Sequence, residues 1–286
     1  MLIVDTIATA RTLLDEARAD GKTVGLVPTM GFLHDGHVSL MKAAARDCDA
    51  VMTTIFVNPL QFAAGEDLED YPRDIERDSQ RCEEAGVGVL LVPPVEEMYP
   101  RPILTEVSVP ELVGVLDGIS RPTHFQGVAT VVSKLFNIAG PCRAYFGEKD
   151  WQQLQIVSRL AIDLSFPVTV VGCPIIREPD GLAMSSRNVY LEGEHRRAAR
   201  VLSKALRAGV DVVADGETDA GAVQRLVADV LASEPLAEPD YAAVVDAGTL
   251  RPVEVIGDDV RILVAAKVGP ARLIDNTDAR HPNTLP

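Results

Sequence analysis

The fold can be read outward from Val24-Gly25-Leu26-Val27-Pro28-Thr29-Met30-Gly31-Phe32-Leu33-His34-Asp35-Gly36-His37. Val24 to Val27 is an apolar run closed by Pro28, as a buried parallel strand requires, and Val38, Leu40, Met41, Ala44 and Ala45 then recur at helical spacing. The stretch therefore reads as a strand, a tight glycine turn and a helix start. His34 and His37 sit at that corner. In an open α/β sheet the corner is the carboxyl end of a strand, where ligands bind and a helix N-terminus offers N–H groups to an anion. A phosphate suits it: Gly31 and Gly36 allow close backbone approach, and two imidazoles can donate to phosphoryl oxygens as negative charge develops. Zinc suits it poorly. A third ligand is missing, and the zinc-protease pattern needs a Glu beside the first His within a continuous helix, whereas here Gly36 separates the pair.

Outward from this corner, Thr6 to Ala19 has helical spacing and is ended by Gly21. Val51 to Val57 reads as the next strand, closing on Asn58-Pro59. A polar connection from Leu60 through Asp67 to Arg73 follows, and Gln61, just past the strand end, is a candidate for hydrogen-bonding a substrate. Helical periodicity returns at Ile75, and Val87 to Val92 is a third strand closed by Pro93-Pro94. Glu111 to His124 is loop-rich and leads into a helix from Val128 to Ile138. Ala144-Tyr145-Phe146 is a strand end running into Gly147-Glu148-Lys149-Asp150 and a helix from Trp151 to Leu160, and Val168 to Val171 is the last parallel strand. Strands alternating with helices predict an α/β fold, a doubly wound parallel sheet with both special turns on one sheet edge.

Cys173 to Asn188 is polar and poorly periodic, and reads as a mobile loop. Beyond it come alanine-rich helices, from His195 to about Ala214 and from Ala220 to about Leu231. Three strand-like runs follow, Tyr241 to Val245, Arg261 to Ala266 and Ala271 to Asp275, too close together for helical crossovers. That predicts a smaller C-terminal α+β domain with an antiparallel sheet. The expected division is residues 1–175 and residues 176–286.

A chain of 286 residues with 47% hydrophobic and 24% charged residues has the composition of a globular protein. With 27 Lys and Arg against 42 Asp and Glu, its net charge of -15 argues against a general nucleic-acid binder. Met1 to Asp5 lacks a basic segment leading into an apolar core, and no run of about 18 apolar residues occurs, so a cytoplasmic protein without membrane association is expected. Cys48, Cys82, Cys142 and Cys173 are widely spaced without any CxxC and read as reduced, mostly buried thiols.

Pro28 to His37, Phe146 to Gln153 and Asp180 to Asn188 carry the motifs PTMGxLHxGH, FGEKDxQQ and DGLAMSSRN, joined by Phe56 to Phe62 and Arg121 to Gly127. In this order the constellation resembles the pantothenate synthetases, the pantoate:beta-alanine ligases of the HxGH nucleotidyltransferase superfamily. The resemblance covers nearly the whole chain, more loosely after Asn188. It implies a Rossmann-like first domain, an AMP-forming ligation and, most simply, a homodimer. Pantoate would attack the α-phosphate of ATP, with Mg2+, to give pantoyl adenylate and pyrophosphate, and beta-alanine would then displace AMP. By motif matching, Met30, Gly31, Phe32, Leu33, His34, Asp35, Gly36 and His37 line the ATP site, His37 as proton donor with His34 beside it. Gly147, Glu148, Lys149 and Asp150 contact the nucleotide, as does Ile176, and Met184, Ser185, Ser186 and Arg187 belong to the loop that holds the phosphates. Gln61 and Gln153 match the pantoate-binding glutamines, Gln61 also lying close to beta-alanine. Phe32 stands where a smaller residue is usual and Trp151 where tyrosine is common.

The residue chemistry agrees with those roles. Adenylyl transfer needs donors and positive charge around phosphates, which His34, His37, Lys149, Ser185, Ser186 and Arg187 supply, and a carboxylate nucleophile needs no general base. A nucleotidyltransferase making a dinucleotide is the nearest rival, but it gives no reason for the paired Gln61 and Gln153. A non-catalytic nucleotide sensor gives none for His37, Lys149 and Arg187.

Overall fold

The computed structural model describes residues 1–63, 68–281 and 285, so Ala64 to Asp67 of the polar connection lie outside the described residues. Contacts divide the chain into two compact units, Met1–Glu148 with Gln153–Cys173, and Lys149–Gln152 with Pro174–Pro286.

The strands of the first unit are β1 (Leu2–Val4), β2 (Val24–Thr29), β3 (Ala50–Ile55), β4 (Val89–Leu91), β5 (Cys142–Gly147) and β6 (Val168–Cys173). They form one parallel sheet in the order β1-β4-β3-β2-β5-β6. The doubly wound sheet is therefore present, with one more strand than the hydrophobic runs foretold. Leu2–Val4 pairs only with β4 and is a half-exposed edge strand, too short for its pattern to stand out. The direction of winding reverses between β2 and β5, which makes the carboxyl ends of these two neighbours the switch point of the sheet.

Helices α1 (Ile7–Ala19), α2 (Asp35–Asp47) and α3 (Ile75–Glu84) come first, and α1 starts where the Thr6 hydroxyl caps the Thr9 N–H. Three single turns follow: α4 (Val95–Met98) comes directly after β4, and α5 (Pro110–Val113) and α6 (Asp117–Ser120) fall in or at the start of the stretch from Glu111 to His124 read as loop-rich. Helix α7 (His124–Ala139) begins four residues earlier than its apolar run, and α8 (Trp151–Asp163) follows β5. Leu40, Met41 and Ala44 of α2 pack with Val27, Leu33, Leu90 and Tyr145 in the core. All four cysteines are free. Burial pushes the Cys82 and Cys142 thiols up to about 12 and Cys173 to about 11, which makes them poor nucleophiles.

The second unit holds α9 (Gly193–Ala198), α10 (Val201–Ala214) and α11 (Ala220–Ala232) against the antiparallel sheet β7 (Ala237–Asp246), β8 (Val260–Val268) and β9 (Ala271–Asp278). The run expected from His195 to Ala214 is thus two helices, broken at Ala199 and Arg200. Leu202, Leu206, Val223, Val227, Ile262 and Val264 close the core between helices and sheet. Among the described residues no helix is long and apolar enough to cross a membrane.

One close approach joins α7 to the turn after β3. A Cβ added at Gly127 would stand 2.2 Å from the Leu60 carbonyl oxygen and 2.6 Å from the Gln61 nitrogen, so only glycine lets this helix reach that backbone. Gly127→Ala is expected to lower the unfolding free energy by about 1–3 kcal/mol in denaturant titration, the usual cost of overpacking. Gly257→Ala, with nothing within 4 Å of its added carbon, is the comparison expected to stay close to wild type.

Candidate active site

The corner after β2 is built by the backbone conformations of Gly31, Phe32 and His34. Gly31 takes φ +86° and Phe32 φ +48°, which turns the chain sharply before His34 returns to extended backbone and caps α2. A non-glycine residue in the left-handed region costs roughly 1–2 kcal/mol, so something must hold Phe32 there. The holder is Asp78 of α3, whose carboxylate accepts the Phe32 N–H at 2.6 Å and the Leu33 N–H at 2.8 Å. Asp78 is 1% exposed, and burial raises its carboxyl above the ordinary value even though the two N–H donors and Arg77 pull the other way. The neighbouring residues of α3 reinforce the grip. The Arg77 guanidinium lies 5.2 Å from the centre of the Phe32 ring, and Arg81 pairs with Asp35 at 2.9 Å.

His34 is the N-cap of α2, and His37 stands one turn in. The His34 N–H donates to His37 Nδ1 at 3.3 Å, and the two rings sit 4.0 Å apart. A neutral His37 that accepts at Nδ1 carries its proton on Nε2, so the ring is a defined donor at that nitrogen. Asp35, Gly36 and His37 form the first turn of α2, and the Phe32 and Leu33 amides belong to Asp78.

Gln61 ends a 3₁₀ turn, Pro59–Gln61, directly after β3 and is 7% exposed. Its Nε2 donates to the Met30 sulfur at 2.9 Å, so this glutamine and the β2 corner are joined. The motif Arg121 to Gly127 holds the same turn from its backbone side: the Gln61 carbonyl accepts from His124 Nδ1 at 2.9 Å and Arg121 Nη2 at 3.4 Å. Asn58 completes the arrangement. It is 1% exposed, donates to Gln61 Oε1 at 3.2 Å and the Gly127 carbonyl at 3.1 Å, and accepts from the Leu60 N–H at 3.3 Å and the Tyr99 hydroxyl at 2.9 Å. Gln153 is half-buried on the first turn of α8.

Gly147 is the last residue of β5, and Glu148, Lys149 and Asp150 make a 3₁₀ turn after it. Lys149 Nζ lies 3.7 Å from Asp150 Oδ1. In the second unit, the stretch read as an irregular loop has local order. Ile176 accepts from the Met184 N–H at 2.9 Å and Leu182 from the Glu178 N–H at 2.8 Å, which makes a small hairpin with Gly181 at φ +90° in its turn. The Ser185 hydroxyl then caps a 3₁₀ segment, Ser186–Tyr190, by accepting the Arg187 N–H at 3.3 Å. Asp180 is held by Arg196 through contacts of 2.6 and 3.1 Å, and this pairing brings its carboxyl below the ordinary range. Thus Ile176 with Met184, and Ser185 with Arg187, are brought together within this unit.

Asn58 and Asp78 are the residues that sequence reasoning passed over. Asn58 was in plain sight in Phe56 to Phe62, where its place before Pro59 marked it only as a strand end. Asp78 lies on a helix, IERDSQRCEE, whose polar sequence hides that its buried residues are Asp78 and Cys82.

Comparison with known proteins converges on one family. A family model described as pantoate-beta-alanine ligase matches residues 2–278. A pantothenate synthetase of Heliobacterium modesticaldum is 49% identical over 96% of this chain and 98% of its own length. One of Sinorhizobium medicae is 52% identical over 96% and 95%. The crystal structure of the Thermus thermophilus pantothenate synthetase superposes with a TM-score of 0.93 at 47% identity, covering 98% of this chain and all of that one. The pantoate-beta-alanine ligase of Francisella tularensis, solved in complex with beta-gamma ATP and beta-alanine, gives 0.80 at 32% identity over 98% of each chain.

The Asp78 grip has a direct test. Asp78→Asn keeps the shape but leaves one oxygen for two N–H donors and points an amide group at the other, so stability should fall by about 1–3 kcal/mol. Denaturant unfolding indistinguishable from wild type would show that the turn stands without it.

Proposed function

This chain belongs to the pantoate-beta-alanine ligase family and has its ATP-dependent ligation of pantoate to beta-alanine, and we propose that the reaction runs through a pantoyl adenylate made at the Met30–His37 corner. In the first step a pantoate carboxylate oxygen attacks the α-phosphorus of ATP and the bond to the bridging oxygen breaks, releasing pyrophosphate. The carboxylate is already ionised at neutral pH, so the protein supplies alignment and charge compensation and needs no base for this step. In the second step the beta-alanine amine attacks the acyl carbon, the acyl C–O bond breaks, AMP leaves and the nitrogen loses a proton. The observation that carries this reading is the His34–His37 pair, because the bond from the His34 N–H leaves His37 with its proton on Nε2, a donor suited to phosphoryl oxygens at a strand's carboxyl end.

In this scheme His37 and His34 meet the phosphates, with Met30 to Gly36 and Gly147 to Asp150 lining the nucleotide and Ile176 contacting it. Lys149, Ser185, Ser186 and Arg187 offset the charge of the phosphates, and Met184 lies on their loop. Gln61 and Gln153 hold pantoate through its hydroxyls and carboxylate, Gln61 also serving beta-alanine. The near-complete burial of Asn58 and its bond to Gln61 Oε1 support a fixed orientation for that glutamine. Mg2+ enters as part of the nucleotide substrate. Among the described residues no group of three or more His, Cys, Asp or Glu forms a ready-made cage, and magnesium characteristically rides on substrate phosphates with few protein ligands. The proposed setting is a cytoplasmic homodimer, for which sedimentation of the purified protein is the measure.

ATP–pyrophosphate exchange in the presence of pantoate tests the scheme. His34→Ala and His37→Ala should each lower exchange by about 10²-fold, the scale of losing one transition-state donor, while the protein still folds. Wild-type rates in both variants would reject the corner as the reaction site. Gln61→Ala and Gln153→Ala should raise the KM for pantoate more than that for ATP, and a defect confined to ATP would place them in the nucleotide pocket.

The hairpin and 3₁₀ segment from Asp180 to Asn188 are proposed to tighten over the phosphates and keep water from the acyl adenylate. ATP, magnesium and pantoate together should then protect residues 180–188 from backbone hydrogen exchange, and Arg187→Ala should weaken that protection along with turnover. Identical exchange with and without ligands, alongside full activity of the Arg187→Ala variant, would make this segment a static connection.

A further inference from the structure

Asp275 and Asn276 are adjacent on β9, buried at 2% and 1% exposure, and their side chains leave the strand on opposite faces. Asn276 Nδ2 donates to the Lys149 carbonyl at 2.8 Å, and its Oδ1 accepts from Arg261 Nε at 2.8 Å. The direction of this amide is fixed, because a carbonyl only accepts and a guanidinium only donates. Arg261 in turn lies 3.4 Å from the centre of the Trp151 ring, and the Trp151 indole N–H donates to the Ala247 carbonyl at 2.8 Å. The Lys149–Gln152 segment is thus fastened to the second unit at Lys149 and at Trp151.

On the other face, Asp275 binds Arg177 through two bonds of 2.6 and 2.9 Å, and Arg177 Nη1 also donates to the Gly181 carbonyl at 3.0 Å. Arg177 pairs across the hairpin with Ala183, directly before Met184-Ser185-Ser186-Arg187. A buried two-pronged ion pair of this kind sets geometry more than it adds stability.

We propose that the Asp275-Asn276 dipeptide is the positioning pair for the two phosphate-binding segments of this unit. Asn276 places the Lys149 turn, and Asp275 places the hairpin that carries Ser185 to Arg187. One peptide bond on β9, an outer strand of the antiparallel sheet, then sets the spacing of the lysine against the serine-arginine segment. The inference rests on the proposed roles of Lys149 and Arg187. A displacement of about 1 Å in such groups can cost as much as about 10²-fold in rate, which gives the fold a reason to fix both from one point.

Crossed double-mutant cycles read by pantoate-dependent ATP–pyrophosphate exchange test it. Asn276→Asp keeps the acceptor for Arg261 and turns an oxygen against the Lys149 carbonyl. It should lower exchange about tenfold in the wild-type background, add nothing to Lys149→Ala, and multiply fully with Arg187→Ala. Asp275→Asn should behave conversely, masked by Arg187→Ala and multiplying with Lys149→Ala. A merely structural role cannot produce that crossed pattern: four cycles that all multiply, or single variants with wild-type exchange, would overturn the proposal. Asn276→Ser takes the place of the Asp variant if that protein fails to fold. Should the unmodified protein show no pantoate-dependent exchange, the proposed reaction fails instead, and the same cycles read by calorimetric binding of ATP with magnesium still decide the role of the dipeptide.

Discussion

A buried carboxylate that binds two backbone N–H groups is the interaction on which the β2 corner depends. Without an acceptor at Phe32 and Leu33, the turn would have to keep a phenylalanine in the left-handed region with two amides turned inward and unpaired. Either cost is a substantial share of the stability of an ordinary domain. Asp78 meets both demands at once, and its own desolvation is the offsetting cost, visible as a carboxyl raised by burial. The corner is therefore held in shape by the protein's own groups, as the proposed nucleotide site requires. That is the condition under which hydrogen-bond donors contribute most to a transition state, since no reorganisation is then needed as charge develops.

The same logic extends along the sheet. Gln61 is attached to Met30 through its side chain and to Arg121 and His124 through its carbonyl, and Gly127 admits α7 close enough for Asn58 to bond the helix backbone. Polar residues that are almost fully buried here form a connected set in which each donor has a named acceptor. Such sets favour one arrangement, because a partly satisfied network in a low dielectric is worse than none. The substrate-facing glutamine of the proposed scheme is thus held by residues that never need touch a substrate.

What was legible in the sequence follows from this division of labour. The parallel sheet could be read because its central strands are apolar runs ended by Pro or Gly, and the three helical runs around them have clear spacing. Leu2–Val4 escaped because three residues on an edge carry no periodicity. The motif residues could be read because their chemistry is concentrated: two histidines in one turn, a lysine beside glycine, serines beside an arginine. The residues that hold them were not legible, since Asp78 and Asn276 act through backbone atoms of distant segments, a backbone partner leaves no trace in its own side-chain type, and Asn58 beside Pro59 has the sequence of an ordinary strand end. Asp78 sits 45 residues from Leu33 and Asn276 127 residues from Lys149, so only the folded chain reveals either pairing.

Asparagine and aspartate differ by one atom pair, and the structure uses the difference. Where two backbone N–H groups converge, as at Phe32 and Leu33, the acceptor is an aspartate; where a carbonyl and a guanidinium converge, as between Lys149 and Arg261, the residue is an asparagine. Exchanging the two types at these sites would conserve volume and burial while reversing half of the hydrogen-bond polarity. Each of the two turns, taken by itself, is therefore specified by the donor and acceptor count of the side chain that supports it.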